Sequence, residues 1–379
     1  MKEKNINNAL FKLWVPFMDD KTTEQVTNIT NLPNVFKHIA IMPDCHLGVG
    51  VPIGCVLAMK DTVIPNAVGV DIGCGMLAYN TGIKYMDKPI LQEIVDEIKK
   101  AIPVGFNHQK EPQKWDGFDR APIMDVVIQD QLEKASYQLG TLGGGNHFIE
   151  IQRGSDGFVW VMLHSGSRNF GLQIAQYYNK LAIEVNPDSP KQLAYFTKDQ
   201  KEFNEYMCAM DFALEFAAEN RMNMFRVIKK IIKSKGFKID STPPILMHHN
   251  FAKEEEHFGE KVIVHRKGAT PAFKGVLGII PGSQGTKSYI VEGLGNPESF
   301  MSCSHGAGRV LGRKQAKKTL DFETEKAILD NQGIIHSMDS VSRLDEAVSA
   351  YKNIGEVMAN QADLVKIIVE LSPLAVVKG

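Results

Sequence analysis

The chain has 379 residues, a formal net charge of −1, and is 44% hydrophobic and 23% charged. These values suit a soluble globular protein and exclude a disordered or low-complexity chain; no apolar run reaches membrane-spanning length. The near-zero charge excludes capture of nucleic acid by a global basic field, so any polyanion site is a local patch.

The length allows one large domain or two. The five cysteines (Cys45, Cys55, Cys74, Cys208 and Cys303) are odd in number and scattered, which speaks against a disulfide framework or a zinc ribbon. With a polar N-terminus and no signal core, the expectation is a cytoplasmic protein.

In chain order, residues 1–34 read as an irregular or helical lead-in. Residues 35–42 read as a strand running into Asp44, Cys45 and His46. Strands at 53–59 and 76–81 flank a glycine-rich stretch in which Asp71 and Cys74 stand three apart. A plain turn with a buried thiol is the competing reading there. Asp87 and Pro89 open a helix that keeps its apolar period to Ile98, and Pro103 stops it. Residues 105–122 read as a polar surface loop, with the loop region reaching about 128, and a second helix covers 123–139.

A glycine run at 140–145 feeds Asn146 and His147 into a strand. The apolar strand at 158–163 delivers His164 and Arg168. Helices follow at 170–185 and 203–235, the second with methionines as core filling. Residues 245–247 deliver His248, His249 and Asn250. Strands at 262–265 and 278–280 lead into turns, the second of them at Pro281, Gly282, Ser283 and Gln284. Ser302–Arg309 then sets His305 among small residues; such a loop can hold a phosphate or be a tight turn. Arg309, Arg313 and Lys317 share one face if helical, as a phosphate grip or as a solvated surface. A structural helix is expected over 353–371.

Asp71, Cys74, His147, His164 and His249 have metal-ligand side chains and come from separate strand ends. Together they exceed one tetrahedral set, and a thiolate can bridge two ions. By ligand softness zinc comes first. The residues alone suggest a metalloenzyme acting on a phosphate-bearing substrate, and a two-metal phosphoesterase fits.

The chain resembles the RtcB family of RNA-splicing ligases. The resemblance is carried by VDIGCGM at Val70, GTLGGGNHFIEI at Gly140, LHSGSR at Leu163, HHNFAKEEEH at His248, RKGA at Arg266, PGSQGTKSY at Pro281, SCSHGAGR at Ser302 and VVKG at Val376. It implies a mixed α/β (α+β) fold of mixed sheets flanked by helices, as a single catalytic domain over 1–379. It implies joining of RNA 3′-phosphate or 2′,3′-cyclic phosphate ends to 5′-hydroxyl ends, in transfer-RNA splicing or RNA repair, with GTP and two manganese ions. RNA is the implied partner; an accessory activator is left open.

Carried over by residue, the resemblance gives one manganese to Asp71, Cys74 and His147 and the second to Cys74, His164 and His249. It makes His305 the nucleophile that accepts GMP, oriented by Asp44. The guanylate pocket is Asn146, Phe148, Glu150, Asn250, Pro281, Gly282, Ser283, Gln284, Ser288, Gly306, Ala307, Gly308, Tyr351 and Lys378. Arg168, Arg309 and Arg313 match RNA-phosphate positions. The segment 106–128 is shorter than in many relatives. Cys45, His46, His248 and His265 receive no role, and Cys303 reads as packing. The competing functions are a metal-dependent RNA-end phosphodiesterase or phosphatase that does not ligate, and a silent RNA-binding scaffold.

Overall fold

The computed structural model describes residues 1–190 and 192–379, and its architecture is mixed α/β. Two sheets dominate. The first has six strands in the order Lys2–Ile6, Ala9–Leu13, Val35–Val49, Val51–Met59, Glu260–Lys267, Asn250–His257. Ala9–Leu13 runs parallel to Val35–Val49, and the other pairs are antiparallel. The second has seven antiparallel strands in the order Ile245–His248, Gly75–Asn80, Val159–Ser165, Phe148–Gly154, Val365–Lys378, Ser288–Gly293, Leu277–Ile280. Between them lies a short ladder of Ala269–Pro271 with Ser302–Ser304.

Helix Lys201–Ser234 ties these layers together. Its first half packs Phe203, Tyr206 and Phe212 into a core with helix Arg168–Val185, and its second half packs Met224, Phe225 and Ile228 behind the seven-stranded sheet. Both methionines with full burial on this helix, Met210 and Met224, fill core as expected. Among the described residues no helix is long and apolar enough to cross a membrane.

Most expected elements are present, including helix Lys88–Ala101, whose Asp87 cap accepts from the Ile90 N–H at 2.9 Å. Four expectations are corrected. The lead-in holds a hairpin, Lys2–Ile6 with Ala9–Leu13, turned by Asn7 and Asn8. Both asparagines have positive φ (48° and 67°), the signature of a two-residue hairpin turn. The 105–128 region is not all loop: a 3₁₀ turn spans Asp116–Arg120, and helix Val126–Gln138 starts inside it.

The C-terminal helix is short, Ile354–Ala359. Beyond it the chain enters strand Val365–Lys378, the fifth strand of the large sheet. The β-branched run of this strand suits a pleated surface, and Pro373 sits at a register shift, where a missing N–H is tolerated. Finally, Arg309 precedes helix Arg313–Thr319, so the three basic residues share no helical face.

Candidate active site

The candidate metal ligands converge. Asp71 and Cys74 lie in the turn before strand Gly75–Asn80. His147 directly precedes strand Phe148–Gly154, His164 lies in Val159–Ser165, and His249 separates two strands. These strand ends meet at one end of the large sheet. Cys74 Sγ lies 3.1 Å from His164 Nε2 and 3.5 Å from His147 Nε2. His147 Nε2 is 3.2 Å from Asp71 Oδ2, and His249 Nε2 is 3.3 Å from His164 Nε2.

The surroundings fix the rings. His147 Nδ1 donates to the Leu142 carbonyl at 2.9 Å and His164 Nδ1 donates to the Asn146 carbonyl at 3.0 Å. Each therefore turns Nε2 toward the cluster, the orientation that backbone carbonyls impose on metal-binding histidines. His249 Nδ1 is buried without a partner. Burial, with His147 nearby, holds the His164 imidazole well below its ordinary pKa. Burial and the adjacent His305 and His164 do the same for His249. Burial pushes Asp71 up, but His147, Cys74 and Arg168 together outweigh it and keep the carboxyl low. Burial, then Asp71, pushes the Cys74 thiol well up. Neutral imidazoles, a carboxylate and a thiol packed this closely form a donor set that fits divalent cations, which would draw the thiol to thiolate. Cys74, His147 and His164 meet metal-cluster geometry by themselves, and all are buried.

His305 stands apart from this set in its bonding. It follows strand Ser302–Ser304, and its ring centre is 4.9 Å from that of His249. Its Nδ1 donates to Asp44 Oδ2 at 2.6 Å, leaving Nε2 for chemistry. The same oxygen accepts the backbone N–H groups of His305 at 3.0 Å and Gly306 at 3.3 Å. Asp44 is fully buried, on a stretch of strand Val35–Val49 where the register with its neighbour shifts. Lys352 braces that stretch by donating to the Pro43 and Cys45 carbonyls. Gly308 has φ 73°, and a Cβ there would fall 2.2 Å from the Asp44 carbonyl oxygen, so the loop reaches Asp44 because it is glycine.

A cavity of about 800 Å³ opens over His305 and His164. Twelve of the fourteen residues matched to a guanylate pocket line it: Asn146, Phe148, Glu150, Pro281, Gly282, Ser283, Gln284, Gly306, Ala307, Gly308, Tyr351 and Lys378. Ser288 and Asn250 do not. The Ser288 hydroxyl accepts the Gly282 N–H from behind the wall at 3.1 Å. Asn250 donates to the Asp71 carbonyl at 3.0 Å and accepts the Gly268 N–H at 2.8 Å, which places it with the metal ligands.

The three arginines divide. Arg309 turns inward, donating to Glu346 at 3.1 Å and to the Tyr351 hydroxyl at 3.2 Å; its side chain is 15% exposed. Arg313 stays at the rim, 51% exposed, donating to Asn146 Oδ1 at 3.3 Å. Arg168, at φ 60°, reaches Thr141 at 3.2 Å and the Gly105 carbonyl at 3.3 Å.

Glu346 was not visible as a site residue in the sequence. It is buried and gathers Arg309, Lys378 at 2.9 Å and the Tyr351 hydroxyl. Burial raises its pKa, but those partners outweigh burial and keep it low. It stands in a 3₁₀ turn with no motif around it. Gln361 was also missed: it bonds both the N–H and the hydroxyl of Ser304, beside the candidate nucleophile. His265 is buried and His46 and His248 are half-buried, and desolvation lowers each, to about 4, 4 and 3 in that order. His265 accepts the Ile64 N–H at 3.0 Å, a structural bond. Cys45 and Cys303 are buried in apolar clusters, in line with packing roles.

Comparison with known proteins places the chain in a family. The model described as tRNA-splicing ligase RtcB matches residues 25–131 and 116–379. The RNA-splicing ligase RtcB of Escherichia coli K12 is 40% identical, over 98% of both chains. The tRNA-splicing ligases RtcB of Nanoarchaeum equitans and Thermococcus kodakarensis are 34% and 31% identical. They cover 97% and 95% of this chain and 94% and 91% of their own. With matches of this extent, the chain belongs to the RtcB family of RNA-splicing ligases.

Proposed function

We propose that the protein is an RNA ligase that joins 3′-phosphate or 2′,3′-cyclic phosphate ends to 5′-hydroxyl ends, with GTP and two manganese ions. The carrying observation is that two separate devices meet at one cavity, the first reaching it through His164 and the second through His305. One is the cluster of Asp71, Cys74, His147, His164 and His249; the other is the Asp44–His305 pair. An RNA-end phosphodiesterase needs the first and has no use for the second.

The residues account for the chemistry. An RNA 3′-phosphate is a poor electrophile because its leaving group would be an oxide. His305 Nε2 attacks the α-phosphorus of GTP; an N–P bond forms and pyrophosphate leaves. Asp44 stabilises the Nδ1–H as the ring gains positive charge, the orienting role of a carboxylate behind a histidine. An oxygen of the RNA 3′-phosphate then takes the GMP and frees His305. The 5′-hydroxyl displaces GMP from the activated end. Asp71, Cys74, His147, His164 and His249 would hold the divalent ions, which supply neutralisation of phosphate charge. Lys378 and Arg309, set by Glu346, and the Gly306–Gly308 backbone would bind the guanylate phosphate side. Arg313 and Arg168 would meet RNA phosphates.

The test offers RNA with a 3′-phosphate and a 5′-hydroxyl to the purified protein with manganese and α-labelled GTP. Label attached to protein and a joined RNA are expected, and a chelator stops both. Ends that are opened but never joined, with GTP ignored, would sink the proposal.

Glu150 makes nucleotide binding depend on pH. Burial pushes its carboxyl up to about 8, against the pull of Lys378. Guanine presents two adjacent N–H donors, which need the ionised carboxylate. GTP affinity is therefore expected to climb from pH 6 to pH 8, by at most about tenfold per unit, and to level off above that. Calorimetric titration in this range, with Glu150→Gln flattening the profile, checks it. A flat profile in the parent protein excludes this role.

A further inference from the structure

Helix Lys201–Ser234 buries an otherwise mainly apolar face behind the site, interrupted by two adjacent polar side chains, Asn220 and Arg221. Both are fully buried, and neither lines the cavity. Burial of a guanidinium or an amide is unfavourable unless its groups find partners; the Asn220 amide and the two terminal nitrogens of Arg221 do, while Arg221 Nε has none among the described residues, so those partners explain their presence.

Those partners all belong to segments that carry metal-ligand side chains. Arg221 donates through one nitrogen to the Gly73 carbonyl at 2.9 Å and the Ser165 carbonyl at 2.7 Å. Its other terminal nitrogen lies 3.1 Å from Nδ1 of His248, which is also 3.0 Å from the Gly73 carbonyl. Gly73 precedes Cys74, Ser165 follows His164, and His248 precedes His249. Asn220 accepts the N–H groups of Gly140 at 2.7 Å and Thr141 at 3.2 Å. It donates to the Gly166 carbonyl at 3.1 Å and the Ser165 hydroxyl at 3.2 Å. That hydroxyl donates to the Leu142 carbonyl, the same oxygen that orients His147.

The packing leaves no slack. Gly73 has φ 73°, and a Cβ there would lie 2.9 Å from Ala217 Cβ, one turn from Arg221 on the same helix.

We propose that Arg221, with Asn220 beside it, positions the metal site: one dipeptide on one rigid helix sets the spacing of the segments bearing Cys74, His147, His164 and His249. This rests on the metal-dependent function proposed for the cluster. Arg221 touches neither substrate nor metal; it acts through the backbone and ring that it holds. Its planar fork reaches three segments from two separate nitrogens, a fixed geometry that the single ammonium nitrogen of a lysine does not reproduce.

The experiment uses the full chain, stripped of metal and titrated with Co²⁺, read by its thiolate charge-transfer band, and with Mn²⁺, read by electron paramagnetic resonance. Arg221→Met is expected to bind both ions about 10- to 100-fold more weakly, with a weakened thiolate band and unchanged circular dichroism. Arg221→Lys recovers part of the affinity, and Asn220→Ala shows a smaller loss. If Arg221→Met does not fold, Arg221→Lys and Asn220→Ala decide by the same readouts. Parent-like affinity and band in the folded variants, with only thermal stability lowered, overturn the positioning role. A parent with no thiolate band overturns the metal reading and this proposal with it. A parent band lost in Cys74→Ala but intact in Arg221→Met overturns the positioning role alone.

Discussion

His305→Ala is expected to abolish covalent GMP labelling of the protein. Among the described residues, no other histidine at that point is paired with a carboxylate as His305 is. His249 is the nearest ring, but its Nε2 faces His164 at 3.3 Å within the donor cluster. His46 is held by the Asp44 carbonyl at 2.8 Å and lacks a carboxylate partner. RNA already carrying GMP on its 3′-phosphate should still be joined by His305→Ala, because the last step uses no histidine adduct. Asp44→Asn makes the companion test. It can keep one acceptor for the backbone N–H groups of His305 and Gly306, but it removes the charge behind the ring. Labelling about 10³-fold slower is expected. Label on His305→Ala at the parent rate would remove the nucleophile from the mechanism.

Cys74→Ala is expected to eliminate ligation at every manganese concentration tested. Cys74 is the one donor that lies against both His147 and His164, so its loss divides the cluster rather than thinning it. Fold stability is expected to change little or to rise without metal, because a buried thiol among acceptors is replaced by a methyl group. The measurement pairs gel-resolved joining with thermal unfolding, each with and without manganese. Manganese should raise the unfolding midpoint of the parent and leave that of Cys74→Ala unmoved. A variant that still ligates refutes the role given to this thiol.

Much of the site was readable because it sits on the local pattern that sequence shows best. Strands ending in glycine-flanked polar residues placed Asp71, Cys74, His147, His164 and His249 correctly at strand ends. Sequence could not show that these ends meet, since that depends on the strand order of the large sheet. Glu346, Lys352, Gln361, Asn220 and Arg221 stayed hidden for a different reason. Each acts through long-range bonds from a helix or turn whose own sequence looks ordinary. The C-terminal strand was misread because its apolar residues also satisfy a helical spacing over a short window. Its β-branched run and Pro373 were the better guide. Arg309 was expected among the RNA-phosphate contacts; Glu346 and the Tyr351 hydroxyl hold it inward at the cavity wall, which its own sequence neighbourhood did not signal.

The bond between Asp44 and His305 closes a span of 261 residues. One partner comes from the six-stranded sheet and the other from the short ladder, while the metal ligands come from the seven-stranded sheet. The entropy of closing so long a loop is lost before the contact can repay it. A contact of this separation is expected to form late in folding. A half-synthesised chain lacks both His249 and His305 and holds neither device complete; by the function proposed above, charging with GMP waits until the strands that carry them have docked.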